Sequence, residues 1–495
     1  MRCGWSSGRS RRDLARLPRA KRLAVALCLC AAGCLTPPEL WQQRVRQVDP
    51  SGAPADTIQL LHLDPAAVES GGPASLAQRA AELERRYVED VEVEGVVWEP
   101  LRSSAGIAEP DRHGSGGDSL LFTGVALAGW TWKYAVTGDA DRLIEALRGL
   151  WILTHVAGRG VLCRAAFPSS RAVEFGWPRA WNRRDPRFVG ETPAGAIRDP
   201  IRGGHLPAMI WYTRATRDQL TGVVLGLASA WAFATDPATD PALAARLRPI
   251  VAEITADVVD QLRAHDWRIR DASGRNDTWA DGVDGPLRVA VLGVARSVGI
   301  ARADREYARA FSRLVKRPYP LDSSFNRYNN LHQYYAHNLR AARSYAIWLL
   351  DADPEHRAQL LHHARANWRR WTDHHGNAWL SWLWFAMAGT PPDDEGLRAL
   401  YELRWKPIRS WPSPLQGRWA APGFFAATFD TTPAWVLPVY LRKPGEYFSW
   451  EREPWGAGEP GEADGRSNST GLDFLAAYWF GRAHGFIPGP RRDRG

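Results

Sequence analysis

The chain has 495 residues and a formal net charge of +9 at neutral pH. Eight of its Lys and Arg residues and one Asp lie in residues 1–33, so the remainder carries a net charge of only +2. Because a body this close to neutral gives no electrostatic basis for binding DNA or RNA, we predict no nucleic-acid partner. The length can bury a large core, and 25 Trp residues supply side chains for that core or for stacking on sugar rings.

Residues 1–33 have the organisation of an export signal. A basic region, 2–22, precedes an apolar run, 23–32, that is too short to span a membrane as a helix. The following Ala31-Ala32-Gly33-Cys34 resembles a bacterial lipobox, except that Ala31 stands where Leu is usual. The resemblance implies lipidation of Cys34; ordinary signal cleavage near Cys34 is the alternative. We therefore predict a lipid-anchored protein of the bacterial cell envelope, at the outer membrane or the periplasmic face.

Cysteine and histidine usage bears on disulfides, metals and cofactors. Four of the five cysteines lie in residues 1–34, which leaves Cys163 alone in the body. A single cysteine allows no intramolecular disulfide and no Cys-based zinc site, so we predict a buried, apolar role for Cys163. The His pairs at 362–363 and 374–375 are adjacent, and adjacent side chains point to different sides of a helix. No glycine-rich nucleotide-binding motif occurs, and we predict neither a metal nor a cofactor.

Helical periodicity begins at Ser75 and follows a Pro-, Asp- and Gly-rich segment, 34–74, which we predict to be a tether and surface segment. We predict one domain over 75–488 and a tail over 489–495. The predicted helices cover 75–91, 118–135, 141–156, 218–234, 241–265, 286–298, 303–314, 331–350, 355–371, 378–388, 395–404 and 471–484. Strand-like pieces occur only near 91–98 and 435–441, and segments 158–209 and 405–466 have no clear periodicity. Twelve helices in hairpins predict an all-α fold, an (α/α)6 toroid of about six helical hairpins with long irregular loops.

Three of these helices, beginning near 118, 218 and 471, have almost no polar surface and are predicted to be inner helices. Each carries a Thr-Gly pair. The spacing of Thr216 and Gln219 is that of a capping box, so the second helix is predicted to begin there. Four residues recur along one face of it at intervals of four: Asp218, Gly222, Gly226 and Ala230. This face is narrow enough for another helix to approach closely.

Two motifs carry a resemblance to a known family. They read Tyr-x-Arg-x-x-Arg-Asp-Gln at 212–219 and Asp-Phe-Leu-x-x-Tyr-Trp-x-Gly-Arg-x-His-Gly at 473–485. With the predicted hairpins, they make the chain similar to the six-hairpin glycosidase-like (α/α)6 toroid superfamily, and more closely to a set of uncharacterised bacterial lipoproteins. The resemblance covers most of the chain after about residue 110. It implies a funnel ringed by inner helices, in a class that includes hydrolases, lyases and epimerases.

Metal-free hydrolysis of a glycosidic bond needs two carboxyl groups, one acting as an acid and one as a base or nucleophile. The candidates are Asp118, Asp218 and Asp473, which lie at the ends of predicted inner helices. Asp218 is the strongest, because Arg214 and Arg217 can hold it ionised. A purely structural explanation exists as well, since a carboxylate in a first helical turn is stabilised by the helix dipole.

Elimination from an acidic sugar needs different groups: an amide or a cation to neutralise the sugar carboxylate, and a Tyr or His to transfer the proton. Segment 326–338 offers Asn330, His332 and Tyr335 at a polar helix start. Helix capping and packing of the Tyr side chains would explain the same pattern.

Several further residues are candidates for substrate binding, as arginine clamps or aromatic platforms: Tyr212, Arg214, Arg217, Arg164, Arg452, Trp455, Trp479 and Arg482. We predict an exported protein that acts on carbohydrate, hydrolysing a glycosidic bond. The alternatives are a polysaccharide lyase acting on a uronic acid and a non-catalytic lipoprotein that binds glycan or an envelope partner. In each case the partners are a carbohydrate or envelope glycan and, through Cys34, the membrane.

Overall fold

A computed structural model describes residues 75–489, apart from 101–112, 115, 178–184, 235, 237–238, 277, 279, 284, 317–333, 370–371, 374, 393, 405–438, 440–441, 443–447, 453 and 455–468. The predicted leader, Cys34 and the tether lie outside the described residues. So do Asn330, His332 and Trp455, and most of the predicted strand-like piece at 435–441.

The described part of the chain is mostly helical, which confirms the all-α class. Its helices are α1 Leu76–Arg86, α2 Ser119–Thr137, α3 Asp141–His155, α4 Arg217–Ala234, α5 Pro241–Ala264, α6 Gly285–Ser297, α7 Ala303–Lys316, α8 Tyr335–Leu350, α9 Pro354–Ala364, α10 Ala378–Ala388, α11 Asp394–Arg404 and α12 Leu472–His484. A π-helical turn extends α1 over Tyr87–Val91, and another extends α9 over Arg365–Arg369. These bounds agree closely with the periodicity of the sequence.

Within the described residues, two small antiparallel sheets accompany the helices. Strands β1 (Glu92–Val93) and β2 (Val96–Val97) form a hairpin, which confirms the strand-like piece near 91–98. Strands β3 (Cys163–Pro168), β4 (Val189–Thr192) and β5 (Met209–Arg214) form a sheet in the order β3-β5-β4. Segment 158–209 has no clear periodicity, so this sheet was not predicted. Five of the six residues of β3 are buried, so no polar-apolar alternation marks the strand.

The three predicted inner helices are buried on every side. Unbroken runs of buried residues cover 119–132 in α2, 219–230 in α4 and 472–482 in α12. Helix α2 packs against α4 and α12, α4 against α6 and α8, α8 against α6 and α10, and α10 against α12. The remaining helices pack on these: α3 on α2, α5 on α4, α7 on α6, α9 on α8, α11 on α10 and α1 on α12.

Helices α2 and α4 cross at two glycines, which confirms the narrow face predicted for α4. A Cβ atom on Gly124 would lie 2.1 Å from the backbone of Gly222. A Cβ atom on Gly222 would lie 2.0 Å from the backbone oxygen of Leu121. No side chain fits at either position, so the two backbones are in direct contact. This contact brings the first turns of α2 and α4 together.

Cys163 is buried and free, as predicted, and burial raises the pKa of its thiol. Among the described helices, none combines the length and the apolar character that crossing a bilayer requires.

Candidate active site

A cavity of about 360 Å³ lies where the first turns of α2, α4 and α8 meet. The segment Phe448–Arg452, which we call the 448–452 turn, closes the opposite side, and β3 contributes Arg164. The polar lining residues are Asp118, Arg164, Asp218, Gln219, Thr221, Tyr334, Tyr335, Asn338, Glu451 and Arg452. Aromatic and aliphatic side chains complete the wall, among them Phe122, Trp379 and Phe448. The volume and the mixture of apolar walls with a few polar groups are typical of small-ligand sites.

Asp118 lies immediately before α2, and one of its carboxylate oxygens is held by two donors. Its Oδ1 accepts from Gln219 Nε2 at 2.7 Å and from Arg164 Nη2 at 3.3 Å. Arg164 is fixed in turn by donating to the backbone oxygen of Gly117. The other carboxylate oxygen of Asp118, Oδ2, accepts no hydrogen bond from any described residue, and the Asp118 side chain is 42% exposed. One oxygen therefore orients the carboxylate while the second is available to a ligand or a water molecule.

Asp218, in the first turn of α4, lies in less polar surroundings than Asp118. Its side chain is 29% exposed, and its nearest cation is Arg343, whose Nη2 lies 3.8 Å from Oδ1. Arg343 is positioned by donating from Nε to Thr221 Oγ1 at 2.8 Å. Burial raises the pKa of the Asp218 carboxyl, Arg343 and Arg217 oppose the rise, and the charge of Asp118 adds to it. The cavity thus holds two interacting carboxyl groups in different surroundings.

Tyr335, the first residue of α8, also lines the cavity. Burial raises the pKa of its phenol, and the nearby carboxylate of Asp218 raises it further, while Arg217 opposes the rise. The phenol therefore stays protonated at neutral pH. In this form it donates a hydrogen bond and does not accept a proton.

Asp473 occupies a different position from Asp118 and Asp218, although all three lie at starts of inner helices. Asp473 is 3% exposed and is not among the described residues that line the cavity. Its Oδ2 accepts from the backbone N–H of Ser449 at 3.2 Å, and its Oδ1 accepts from that of Phe474 at 2.8 Å. The structure therefore brings Asp218 together with Asp118, whereas Asp473 binds the back of the 448–452 turn.

Sequence reasoning singled out Arg452 and overlooked its neighbour Glu451, which lines the same cavity. Glu451 lies in a Trp- and Pro-rich stretch without helical or strand periodicity. An acidic residue there has no spacing that relates it to α2 or α4, so the sequence contained no signal for its position.

Three candidates from the first motif are not among the described residues that line the cavity. Tyr212 is buried in β5, where it pairs with Ala165 and Val189 of the neighbouring strands. The guanidinium of Arg214 lies 5.7 Å from the ring centre of Phe188. Arg217 begins α4, and its positive charge acts on the pKa values of Asp218 and Tyr335.

Trp479 and Arg482 also lie elsewhere. Trp479 donates from Nε1 to Glu84 of α1 at 2.7 Å, and Arg482 donates from Nη1 to the hydroxyl of Tyr478 at 3.1 Å. Arg482 follows Asp473 by nine residues, which is roughly 13 Å along an α-helix. Both side chains therefore belong to the end of α12 that points away from the 448–452 turn.

Within the described part of the chain, one group of residues has the composition of a metal site. Ligand atoms of His155, Glu253 and Asp257 lie within 4.8 Å of one another. Both carboxylate oxygens of Asp257 accept hydrogen bonds from Arg159, at 3.0 and 3.1 Å, and His155 Nε2 lies 3.0 Å from Oδ2. A cation would have to displace Arg159, so an ion-pair network accounts for this group.

No model of a known protein family, no curated protein and no solved structure matches the chain. Any assignment of function therefore rests on the cavity itself.

Proposed function

We propose that the protein hydrolyses a glycosidic bond in the cavity between α2, α4, α8 and the 448–452 turn. The observation that carries the proposal is that Asp118 and Asp218 line one cavity in unlike surroundings. Glycoside hydrolysis uses two carboxyl groups in opposite protonation states, and unlike surroundings are what separate them.

Asp218 acts as the general acid. Burial favours its protonated form, and protonated Asp218 donates its proton to the glycosidic oxygen as the bond from that oxygen to the anomeric carbon breaks. Asp118 acts as the general base. Its Oδ1 is held by Gln219 and Arg164, and its Oδ2 accepts a proton from the water whose oxygen bonds to the anomeric carbon. The sugar ring packs against the apolar wall formed by Phe122, Trp379 and Phe448.

The fold that we propose for this site is the (α/α)6 toroid. The succession of contacts from α2 through α4, α6, α8 and α10 to α12, which contacts α2 again, supports it. In a toroid, loops and helix starts at one end of the inner ring form the funnel, and the cavity lies at such helix starts. The proposal agrees with the resemblance to six-hairpin glycosidase-like proteins.

A polysaccharide lyase is the second candidate, because Tyr335 and Arg452 line the same cavity. A lyase would use a tyrosine to transfer the proton and an arginine to neutralise the sugar carboxylate. The raised pKa of Tyr335 disfavours it as a base, which ranks elimination below hydrolysis.

We also propose export and lipidation at Cys34, on the strength of the basic region, the apolar run and the lipobox-like sequence of the leader. Growth with radiolabelled palmitate should label the full-length protein and leave Cys34→Ala unlabelled. Equal labelling of both would refute lipidation at Cys34.

The test of function is an activity screen of the detergent-purified full-length protein on neutral and uronic-acid polysaccharides. Hydrolysis releases reducing ends without ultraviolet absorbance, whereas elimination gives unsaturated products that absorb. We expect reducing ends alone, and their loss in Asp218→Asn, while Asp240→Asn, an exposed helix cap, keeps full activity. Absorbing products would establish the lyase. Thermal stabilisation by a glycan without any product would establish a binding lipoprotein.

A further inference from the structure

The 448–452 turn is held by four buried hydrogen bonds to side-chain or backbone groups of neighbouring helices. Asp473 of α12 accepts the backbone N–H of Ser449, and its own backbone oxygen accepts Trp450 Nε1 at 2.8 Å. The backbone oxygen of Trp450 accepts two amide N–H groups, from Asn338 of α8 at 2.8 Å and from Asn377, which caps α10, at 2.9 Å. Side chains from three different helices therefore fix one five-residue segment.

Aromatic packing fixes the same segment from its other side. The ring of Phe448 lies 5.7 Å from that of Phe122 in α2 and 5.4 Å from that of Trp379 in α10, and Trp450 is fully buried. Buried hydrogen bonds and interlocked rings leave the segment little freedom. The two residues that follow Trp450 are the polar residues of the turn that reach the cavity, beside the ring of Phe448.

Glu451 and Arg452 both line the cavity, together with the carboxyl groups of Asp118 and Asp218. The turn thus places one carboxylate and one guanidinium group in the lining, beside the two carboxyl groups proposed for chemistry.

We infer that the 448–452 turn is a substrate-recognition element for neighbouring hydroxyl groups of a neutral sugar, and that Asp473 is the residue that positions it. This inference rests on the proposed function and specifies its substrate. A carboxylate accepts from sugar hydroxyls and a guanidinium donates to them, so Glu451 and Arg452 together suit a pair of adjacent hydroxyls.

The charges of the cavity favour a neutral sugar over a uronic acid. With Asp218 protonated as the general acid, the charges of the described lining balance, because the carboxylates of Asp118 and Glu451 are matched by the guanidinium groups of Arg164 and Arg452. Arg164 is already bonded to Asp118. A sugar carboxylate would add an uncompensated negative charge to this lining, whereas a hydroxyl pair adds none.

The first experiment measures binding by titration calorimetry on the full-length protein in detergent. The probes are cellohexaose, xylohexaose and mannohexaose, with hexagalacturonate as the acidic counterpart. We expect at least one neutral probe to bind, hexagalacturonate to bind at least tenfold more weakly, and Glu451→Gln and Arg452→Gln each to weaken the neutral probe at least tenfold. Tighter binding of hexagalacturonate, or no binding of any neutral probe, would overturn the inference.

The second experiment separates positioning from catalysis by Asp473, using the neutral probe that binds. Ser449→Pro removes the N–H that Asp473 accepts and leaves the carboxylate in place. The extended backbone of Phe448 and the start of a 3-10 turn at Ser449 are compatible with proline. Asp257→Asn changes a buried carboxylate of α5, outside both the turn and the described cavity lining, and serves as the control that should bind normally.

A positioning role predicts that Asp473→Asn and Ser449→Pro each weaken binding about three- to tenfold, and that the double variant is no worse than either single one. The alkaline limb of any pH–activity profile, which the general acid Asp218 sets, stays in place. Independent, additive losses, or full affinity in Asp473→Asn, would refute the role. If Asp218→Asn retains hydrolysis while the turn variants lose affinity, the proposed mechanism fails and this inference stands. If Asp218→Asn loses hydrolysis while the turn variants keep full affinity, the mechanism stands and this inference fails.

Discussion

The two walls of the cavity are built in different ways. One wall comes from the first turns of α2 and α4, two helices whose backbones touch at Gly124 and Gly222. The other is the 448–452 turn, which has no regular structure beyond a single 3-10 turn and is held by side chains from α8, α10 and α12. The first wall carries Asp118 and Asp218, whose carboxyl groups are proposed for chemistry. The second wall carries Glu451 and Arg452, which are proposed for recognition. Asp218 and Asp473 consequently have different proposed roles, although both lie in the first turn of an inner helix.

The largest effect should come from the first wall. Asp118→Asn keeps an oxygen that can accept from Gln219 and Arg164 but removes the base, so we expect about a 100- to 10,000-fold loss of turnover with little change in binding. Asp473→Asn should lose no more than about tenfold, because Asp473 acts through the 448–452 turn. Kinetics on the active polysaccharide compare the two variants, and equal losses would abolish the distinction between the walls.

The helix crossing below the first wall should be the most sensitive point for stability. In Gly222→Ala the new methyl group would meet the backbone of Leu121, and overpacking against backbone should lower the free energy of unfolding by about 3 kcal/mol. Separation of α2 from α4 should also disturb the bond between Gln219 and Asp118. Urea denaturation, with activity measured in parallel, follows both effects.

Gly293→Ala in α6 is the matched control for that crossing. Its Cβ atom would meet only Tyr307, at an ordinary 3.5 Å, so the substitution should be neutral or raise the free energy of unfolding by about 0.5–1 kcal/mol. Similar destabilisation by Gly222→Ala and Gly293→Ala would show that the contact between α2 and α4 is no more sensitive to an added methyl group than α6 is.

The second wall should respond to loss of its buried support. Asp473→Asn replaces a carboxylate oxygen with an N–H₂ group that cannot accept from the backbone, which should cost about 1–3 kcal/mol of unfolding free energy. Asp240 also accepts a backbone N–H at a helix start but is exposed, and Asn caps a helix as well as Asp does. Asp240→Asn should therefore change stability by only a few tenths of a kcal/mol, as judged by the same denaturation curves.

The sequence predicted the first wall far better than the second. Periodicity and capping signals located α2 and α4, and the four-residue spacing of Gly222 and Gly226 predicted their close approach. These signals are local, so a single sequence contains them. Asp118 and Asp218 lie beside such signals and were identified as candidates for that reason.

The rest depends on contacts between distant parts of the chain. Asp473 had the same local pattern as Asp218, and only the approach of Ser449 distinguishes it as a support for the turn. Glu451 reaches the cavity because α8, α10 and α12 each bond to its turn, and no local pattern records that arrangement. Strands β3 and β5 were missed because mostly buried strands do not alternate, and β4, only four residues long with no buried residue, shows no alternation either.

The smallest expected effect is the change in stability of Asp218→Asn with pH, which tests whether the Asp218 carboxyl group serves catalysis or structure. Burial raises the pKa of Asp218 in the folded chain, so stability that is present below its unfolded pKa of about 4 is lost as the pH rises through the folded value. Asp218→Asn removes that loss. Since the side chain is 29% exposed and Arg343 is nearby, we expect the variant at pH 8 to equal the parent or exceed it by less than about 1 kcal/mol, with the gain vanishing at pH 4. Denaturation curves across this range test the sign: a loss at pH 8 like that of Asp473→Asn would mean that pairing with Arg343 outweighs burial and that Asp218 is a structural residue.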